Sequence, residues 1–379
     1  ALVLAQFLGT SPWFAVNAVM PALQADFGWP PQTVGLLTSA LQGGFIVGAL
    51  VFALLAVADR FPARQVFLAC ALASAACTVA AALAASSLTA LVVLRALGGF
   101  CLAGIYPVGM KIAAQVFPRG LGHALGLLVG ALVLGSALPH ALRAMSATLP
   151  WTLVFYAVAA ASVAAGVLVM RGVPPPPPAP PSPGLKLRAL AAIVTDRRLR
   201  ASVFGYFGHM WELYTMWVLV PFVLATRLAG APLSWMAFAV VGAGALGCAV
   251  GGRLAARVGS ARVAGTQLAV SGLCCLAAPW MLDAPAAWVY GWLLVWGITV
   301  AGDSPQFSTL TATNAPRDGV GSVLTLSNSL GFAISIVSIE LFVLLSATVP
   351  LGQLLPWLGL GPLLGLIALR PLLRAGPAR

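Results

Sequence analysis

Charge is the scarcest resource in this sequence. Only 7% of its 379 residues are charged, 61% are hydrophobic, and the mean hydropathy is +1.01. Soluble domains carry roughly 25% charged residues, so a water-facing surface could not be covered, which excludes one soluble domain and equally two. Acidic residues are scarcer than basic ones, eight against twenty, leaving a net charge of +12. The six cysteines (Cys70, Cys77, Cys101, Cys248, Cys274 and Cys275) all lie in apolar runs and form no CxxC pair. They read as buried free thiols rather than a disulfide framework or metal site. No GxxxxGK[ST] run is present to cradle ATP phosphates. No nucleophile, metal cluster or cofactor motif is evident either, so the sequence predicts a protein that is not an enzyme and takes no cofactor or metal.

What is abundant is apolar sequence in runs long enough to span a bilayer, about 20 residues each. Twelve such runs fall near 2–24, 32–56, 66–86, 88–114, 120–142, 151–170, 201–224, 233–253, 263–282, 286–311, 320–346 and 352–369. In hydrocarbon the backbone must bond within its own segment, which makes these helices. The expected fold is an all-α membrane protein of twelve transmembrane helices. With the N-terminus in the cytoplasm, sixteen of the twenty basic residues, from Arg60 and Arg64 through Arg253, Arg257 and Arg262 to Arg370 and Arg374, fall on the cytoplasmic side. Only Arg143 and Arg227 fall outside, while Arg95 and Lys111 lie within a span. That imbalance sets both termini inside and accounts for the net charge without nucleic acid. Trp29, Trp151, Trp235, Trp280, Trp288 and Trp357 sit near outer helix ends, as an interfacial belt requires.

Residues 171–200 (RGVPPPPPAPPSPGLKLRALAAIVTDRRLR) break the series. A polyproline stretch followed by a short basic surface helix is expected there. The predicted organisation is a six-helix bundle over 1–170, a cytoplasmic Pro-rich, basic linker over 171–200, and a second six-helix bundle over 201–379. The two halves repeat: Pro107 and Pro305, Pro118 and Pro316, and Arg119 and Arg317 are each 198 residues apart. Repeats of this kind predict two pseudo-symmetric bundles around a midplane site.

The segment LAVADRFPAR (55–64), its partner GRLAARVGSAR (252–262), and Leu91, Arg95 and Gly99 in an LxxxRxxxG pattern resemble the major facilitator superfamily over essentially the whole chain. The family's loop motif is GxLADRxGRR; Asp59, Arg60 and Arg64 match it, as do Gly252, Arg257 and Gly259, whereas Ala256 replaces the second acid. The GPxxGG signature of its drug/proton antiporters is missing from LGSALPHAL (134–142), and the sugar-porter signature is missing too. The resemblance implies a secondary transporter whose two halves rock around a central cavity lined by spans one, four, seven and ten. It also implies a gating latch at Asp59, Arg60, Arg64 and Arg257 in the outward-open state.

Charges inside a bilayer are costly and mark candidate sites. Glu212 lies near the midplane of span seven, three residues after His209, so the two share a face. Low dielectric favours a neutral carboxyl, and His209 can exchange protons near neutral pH. Glu212, His209 and Asp303 are therefore the candidate proton-coupling groups; the alternative is a paired structural glutamate with His209 satisfied by a carbonyl. Asp303 opens the sequence DSPQ, in which Gln306 shares its face. Arg95 could hold an anionic group with its planar fork, or form a static ion pair. Lys111 is expected to snorkel to the inner interface, and Glu340 to sit at a mouth or packing position. Gln306, Asn17, Tyr214, Trp211 and Trp292 complete the candidate substrate-binding set, since an aromatic cavity suits a solute with apolar surface; aromatic helix packing is the competing account.

Together these readings predict a monomeric secondary transporter of the inner membrane, coupled to protons, moving a small organic anion or amphipathic metabolite. The alternatives are a drug-like proton antiporter or exporter and a non-transporting membrane receptor.

Overall fold

The computed structural model describes residues 1–116, 121–175, 188–316 and 319–374, and among them contains helices and no strands. Twelve long helical segments follow one another: Leu2–Phe27, Thr33–Leu54, Ala63–Leu83, Leu88–Val116, Leu121–Met145, Thr152–Gly172, Arg197–Ala225, Gly230–Val258, Ser260–Met281, 286–314, Val320–Leu345 and Leu351–Arg374. They are called spans one to twelve below. Ten are long and apolar enough to cross a membrane on composition alone. The other two, spans seven and ten, carry His209, Glu212 and Asp303. Span eight runs further than its apolar stretch, so the second loop motif is helical up to a turn at Gly259 (φ 90°). In the first copy the turn falls on Ala56, held at φ 49° although glycine would be unstrained there.

Contacts fix which helix ends share a face. Gly172 backs onto Ala1, and Leu373 lies over Gly265. The Arg64 guanidinium donates to the carbonyl of Met170. The short helix Arg188–Thr195 packs Ile193 against Leu199, Val203 and Val323 at the starts of spans seven and eleven. The first residue, the end of span twelve, and the basic residues at the ends of spans two, eight and nine thus share one side, the terminal face. The opposite, far face holds Arg143, Arg227 and the exposed Trp280, Trp288 and Trp357. There the Trp151 indole N–H donates to Asp26 Oδ2 at 2.7 Å, and Arg227 reaches the carbonyl of Leu282. The proline run from 176 onward and Pro118, Arg119, Lys186, Arg317 and Arg379 lie outside the described residues.

Spans one to six and seven to twelve form two sets joined along two seams, span five against span eight and span two against span eleven. The internal repeat is visible in the packing. Glycines let helix backbones touch at Gly44 against Ala96 and Gly99 against Leu41 between spans two and four. The same device recurs at Gly247 against Ile298 and Gly297 against Val240, between spans eight and ten. Spans four and ten are both broken near the middle, at 103–105 and at Asp303, just before Pro107 and Pro305. Proline lacks the N–H that an unbroken helix would need there.

This packing generates a paired test. A Cβ at Gly44 would overlap the Ala96 carbonyl, whereas at neighbouring Gly43 it meets nothing within 4 Å. Gly44→Ala should cost about 1–3 kcal/mol through overpacking, seen as a clear drop in thermal unfolding temperature in detergent, while Gly43→Ala should leave that temperature essentially unchanged.

Candidate functional site

A cavity of about 520 Å³ opens from the terminal face between the two sets of helices. Its walls come chiefly from spans two, four and eleven: Phe45, Phe52, Tyr106, Met110, Leu324 and Thr325. Asp59 and Lys111 stand at its terminal-face end, bonded to each other and partly exposed. Lys111 also donates to the Ala58 carbonyl at 2.6 Å, at the terminal-face end of its span. Deeper in, Tyr106 and Asn328 are shared with a small central pocket of about 30 Å³, room for about one water, whose further walls include Tyr206, Met210, Tyr214, Ser304, Ser308 and Phe332. Among the described residues, no charged side chain lines this pocket.

Aromatic rings close the way to the far face. Trp13 stacks on Tyr214 (centroids 5.9 Å) and Phe14 meets Trp217 edge-on (5.6 Å), joining spans one and seven. Phe45 and Phe332 join spans two and eleven at 4.8 Å. Trp13 is fully buried. The chain is thus open to the terminal face and plugged above it.

Behind the central pocket lie the ionisable groups of the second set. Residues three apart on a helix diverge by about 60°, and that angle separates His209 from Glu212. The expected His209–Glu212 pair is therefore corrected: His209 Nδ1 lies 2.8 Å from Asp303 Oδ1, because the break in span ten turns the carboxylate toward span seven. The two groups face each other as a pair, and His209 Nε2 has no further hydrogen-bond partner among the described residues. Both side chains are essentially inaccessible, at 1% and 0% exposure. Their chain neighbours Met210 and Ser304 line the pocket, one residue away. Glu212 is satisfied instead. It accepts from Trp296 Nε1 (2.6 Å), Ser271 Oγ (2.9 Å) and Cys275 Sγ (3.2 Å) and touches neither cavity.

Arg95 is also enclosed. Its guanidinium donates to the carbonyls of Pro12 (2.8 Å), Trp13 (2.7 Å) and Leu37 (3.4 Å). The first two belong to the one-turn 3-10 segment Ser11–Phe14 that interrupts span one. Freed carbonyls at that break take up the arginine fork, and no carboxylate faces it among the described residues.

The profile of the Major Facilitator Superfamily matches residues 2–339. The chain belongs to the major facilitator superfamily. Among curated proteins, a chloramphenicol resistance protein of Streptomyces lividans is 31% identical over 258 residues, which is 66% of this chain and 64% of that protein. Two solved structures share the fold at 16% identity. The human organic anion transporter MFSD10 (TETRAN) has a TM-score of 0.73, covering 97% of both chains. A bacterial homolog of the human lysosomal transporter Spinster, in an inward-facing and unoccupied conformation, has a TM-score of 0.74, covering 100% of this chain and 97% of its own.

Asp59 pairs with Lys111 of its own set, Arg64 is held by Met170, and Arg60 and Arg257 are exposed. Of the expected substrate-binding residues, only Tyr214 lines the central pocket. Asn17 bonds Thr38 Oγ1 at 2.9 Å, and Gln306 is buried in the first turn after the span-ten break. Trp211 and Trp292 are corrected. Trp211 faces Phe342 edge-on, and Trp292 donates to the Cys274 carbonyl (3.0 Å) and lies tilted against Trp296. Glu340 is exposed beside Gly35. Sequence reasoning missed Tyr106, Tyr206, Ser308, Asn328 and Phe332; the tyrosine two positions after Gly104 in the repeated span-four break was the one available signal.

Arg95→Lys tests the enclosed arrangement. A lysine cannot reproduce the fork, so charge-assisted bonds worth about 1.5–3 kcal/mol each are lost. The expected result is a lower unfolding temperature with unchanged ligand affinity, measured by thermal unfolding and equilibrium binding on the same preparation.

Proposed function

We propose that this superfamily member is a proton-coupled exporter of small, neutral, amphipathic solutes with aromatic character. The observation that carries the reading is the central pocket, lined among the described residues by three tyrosines, Trp217 and Phe332 and by no charged side chain, set against an Arg95 already spent on backbone carbonyls. That geometry favours the drug-like alternative over an organic anion, and so does the likeness to a protein named for chloramphenicol resistance. The likeness to an organic anion transporter is one of fold alone. The terminal face, which carries the basic residues, is assigned to the cytoplasm by the usual bias of lysine and arginine, so the cavity loads from inside.

Coupling is assigned to His209 and Asp303. A carboxylate and an imidazole in contact, one residue behind the pocket wall, can trade a proton when the wall moves. Glu212, with three donors packed around it, serves as the structural acid between spans seven, nine and ten.

The test is uptake into inside-out vesicles under an imposed pH gradient, with chloramphenicol beside an aromatic amide and its matched carboxylate. The neutral compounds should accumulate, and a protonophore should abolish it. Asp303→Asn should lower accumulation about tenfold, within the usual range of coupling energies, whereas Glu212→Gln should retain most of it. Accumulation of the carboxylate alone would contradict the substrate assignment, and full activity in Asp303→Asn would contradict the coupling assignment.

A further inference from the structure

The two seams between the helix sets are not alike. Along spans five and eight the helices stay close from Gly242 against the Leu134 side chain, through Gly130 against the Ala245 carbonyl, to Gly126 against the carbonyl of Cys248. That last contact lies within about a turn and a half of the start of span five. Along spans two and eleven, three contacts lie in the half nearer the far face. Gly35 meets Val343, Gln42 Oε1 accepts from Ser335 Oγ at 2.7 Å, and Phe45 meets Phe332. Beyond that ring pair, Ala49, Phe52 and Ala53 of span two and Val320, Leu324 and Thr325 of span eleven are opposite walls of the 520 Å³ cavity. One seam is closed along most of its length and the other is parted over half of it.

We infer that the cavity has a lateral slot between spans two and eleven, through which solute already dissolved in the terminal-face leaflet enters sideways. This rests on the proposed reading of a neutral, amphipathic substrate and names its route. The chemistry of the two openings differs in the direction that route needs. The mouth at the terminal face carries the Asp59–Lys111 ion pair, whereas the slot is bounded by alanine, phenylalanine, valine and leucine with one threonine. A neutral solute with apolar surface concentrates in lipid, and the slot presents it with no charge to desolvate. Gly321, on the cavity wall of span eleven, is exposed and has nothing within 4 Å of where a Cβ would stand, so the gap beside it is real space.

The experiment is photocrosslinking in lipid vesicles. p-Benzoylphenylalanine replaces Thr325, or Leu324 as a second position should the first variant fold poorly. Leu54, exposed on span two, is the positive control, and Val241, buried in span eight, is the negative one. Lipid adducts are read by mass spectrometry. The slot predicts adducts at Thr325 or Leu324 and at Leu54, with none at Val241. Adducts at Leu54 alone overturn it. Gly321→Trp, which fills the gap, should remove the Thr325 adduct and slow uptake of a neutral aromatic probe several-fold; an unchanged adduct and rate would also overturn it. The crosslink needs no transport, so adducts at Thr325 combined with accumulation of the carboxylate alone would keep the slot and reject the substrate reading.

Discussion

A polar group buried in hydrocarbon has no water to fall back on, and the interior of this protein is organised by that constraint. In each set of helices, a donor from the span before its central break reaches across to the set's first helix. In the first set it is Arg95 of span four, held by the carbonyls of the interrupted span one. In the second set it is Trp296 of span ten, donating to Glu212 of span seven. The sequence repeat thus conserves a connection while changing its chemistry. In one half the backbone supplies the acceptor and the side chain the charge; in the other a carboxylate accepts from a neutral indole. Removing either donor strands a group the bilayer cannot solvate.

With those locks in place, one buried pair stands out. His209 and Asp303 sit where two locally weak helices meet, one dense in polar and aromatic side chains and the other broken before Pro305. These are the two spans outside the ten that are long and apolar enough to cross a membrane. On the proposed reading, they hold a pair whose charge state can change, and the pocket wall of Met210 and Ser304 links that change to solute bound between the two sets of helices. The rigid seam of spans five and eight and the parted seam of spans two and eleven then give the rocking motion a pivot on one side and an opening on the other.

Much of the fold was legible in the sequence, because helix count and the distribution of basic residues follow from hydropathy and charge, which need no tertiary contacts. The break in span ten was legible too, since proline at 305 frees backbone groups whatever surrounds it. The site was less so. His209 and Glu212 share a helix face by spacing, but a 60° divergence is enough for a neighbouring helix to claim each one separately, and which neighbour does so depends on packing. Arg95 looked available for an anion because nothing in its own segment offers an acceptor. Its partners are carbonyls 82 and 83 residues away, exposed by an irregular turn at Ser11–Phe14. Tyr106 of span four and Asn328 and Phe332 of span eleven line the pocket together because the two sets of helices meet there, a contact between segments over 200 residues apart.

The central claim is that solute bound in the cavity between the two sets of helices and a proton on the His209–Asp303 pair exclude one another. It is tested most directly by following proton release with a pH indicator in weakly buffered detergent solution, as a neutral aromatic ligand is titrated onto the purified protein. The account predicts release of about one proton per ligand bound by the wild type and by Glu212→Gln, and none by Asp303→Asn, which still binds the ligand. Release that persists in Asp303→Asn and disappears in Glu212→Gln would contradict it.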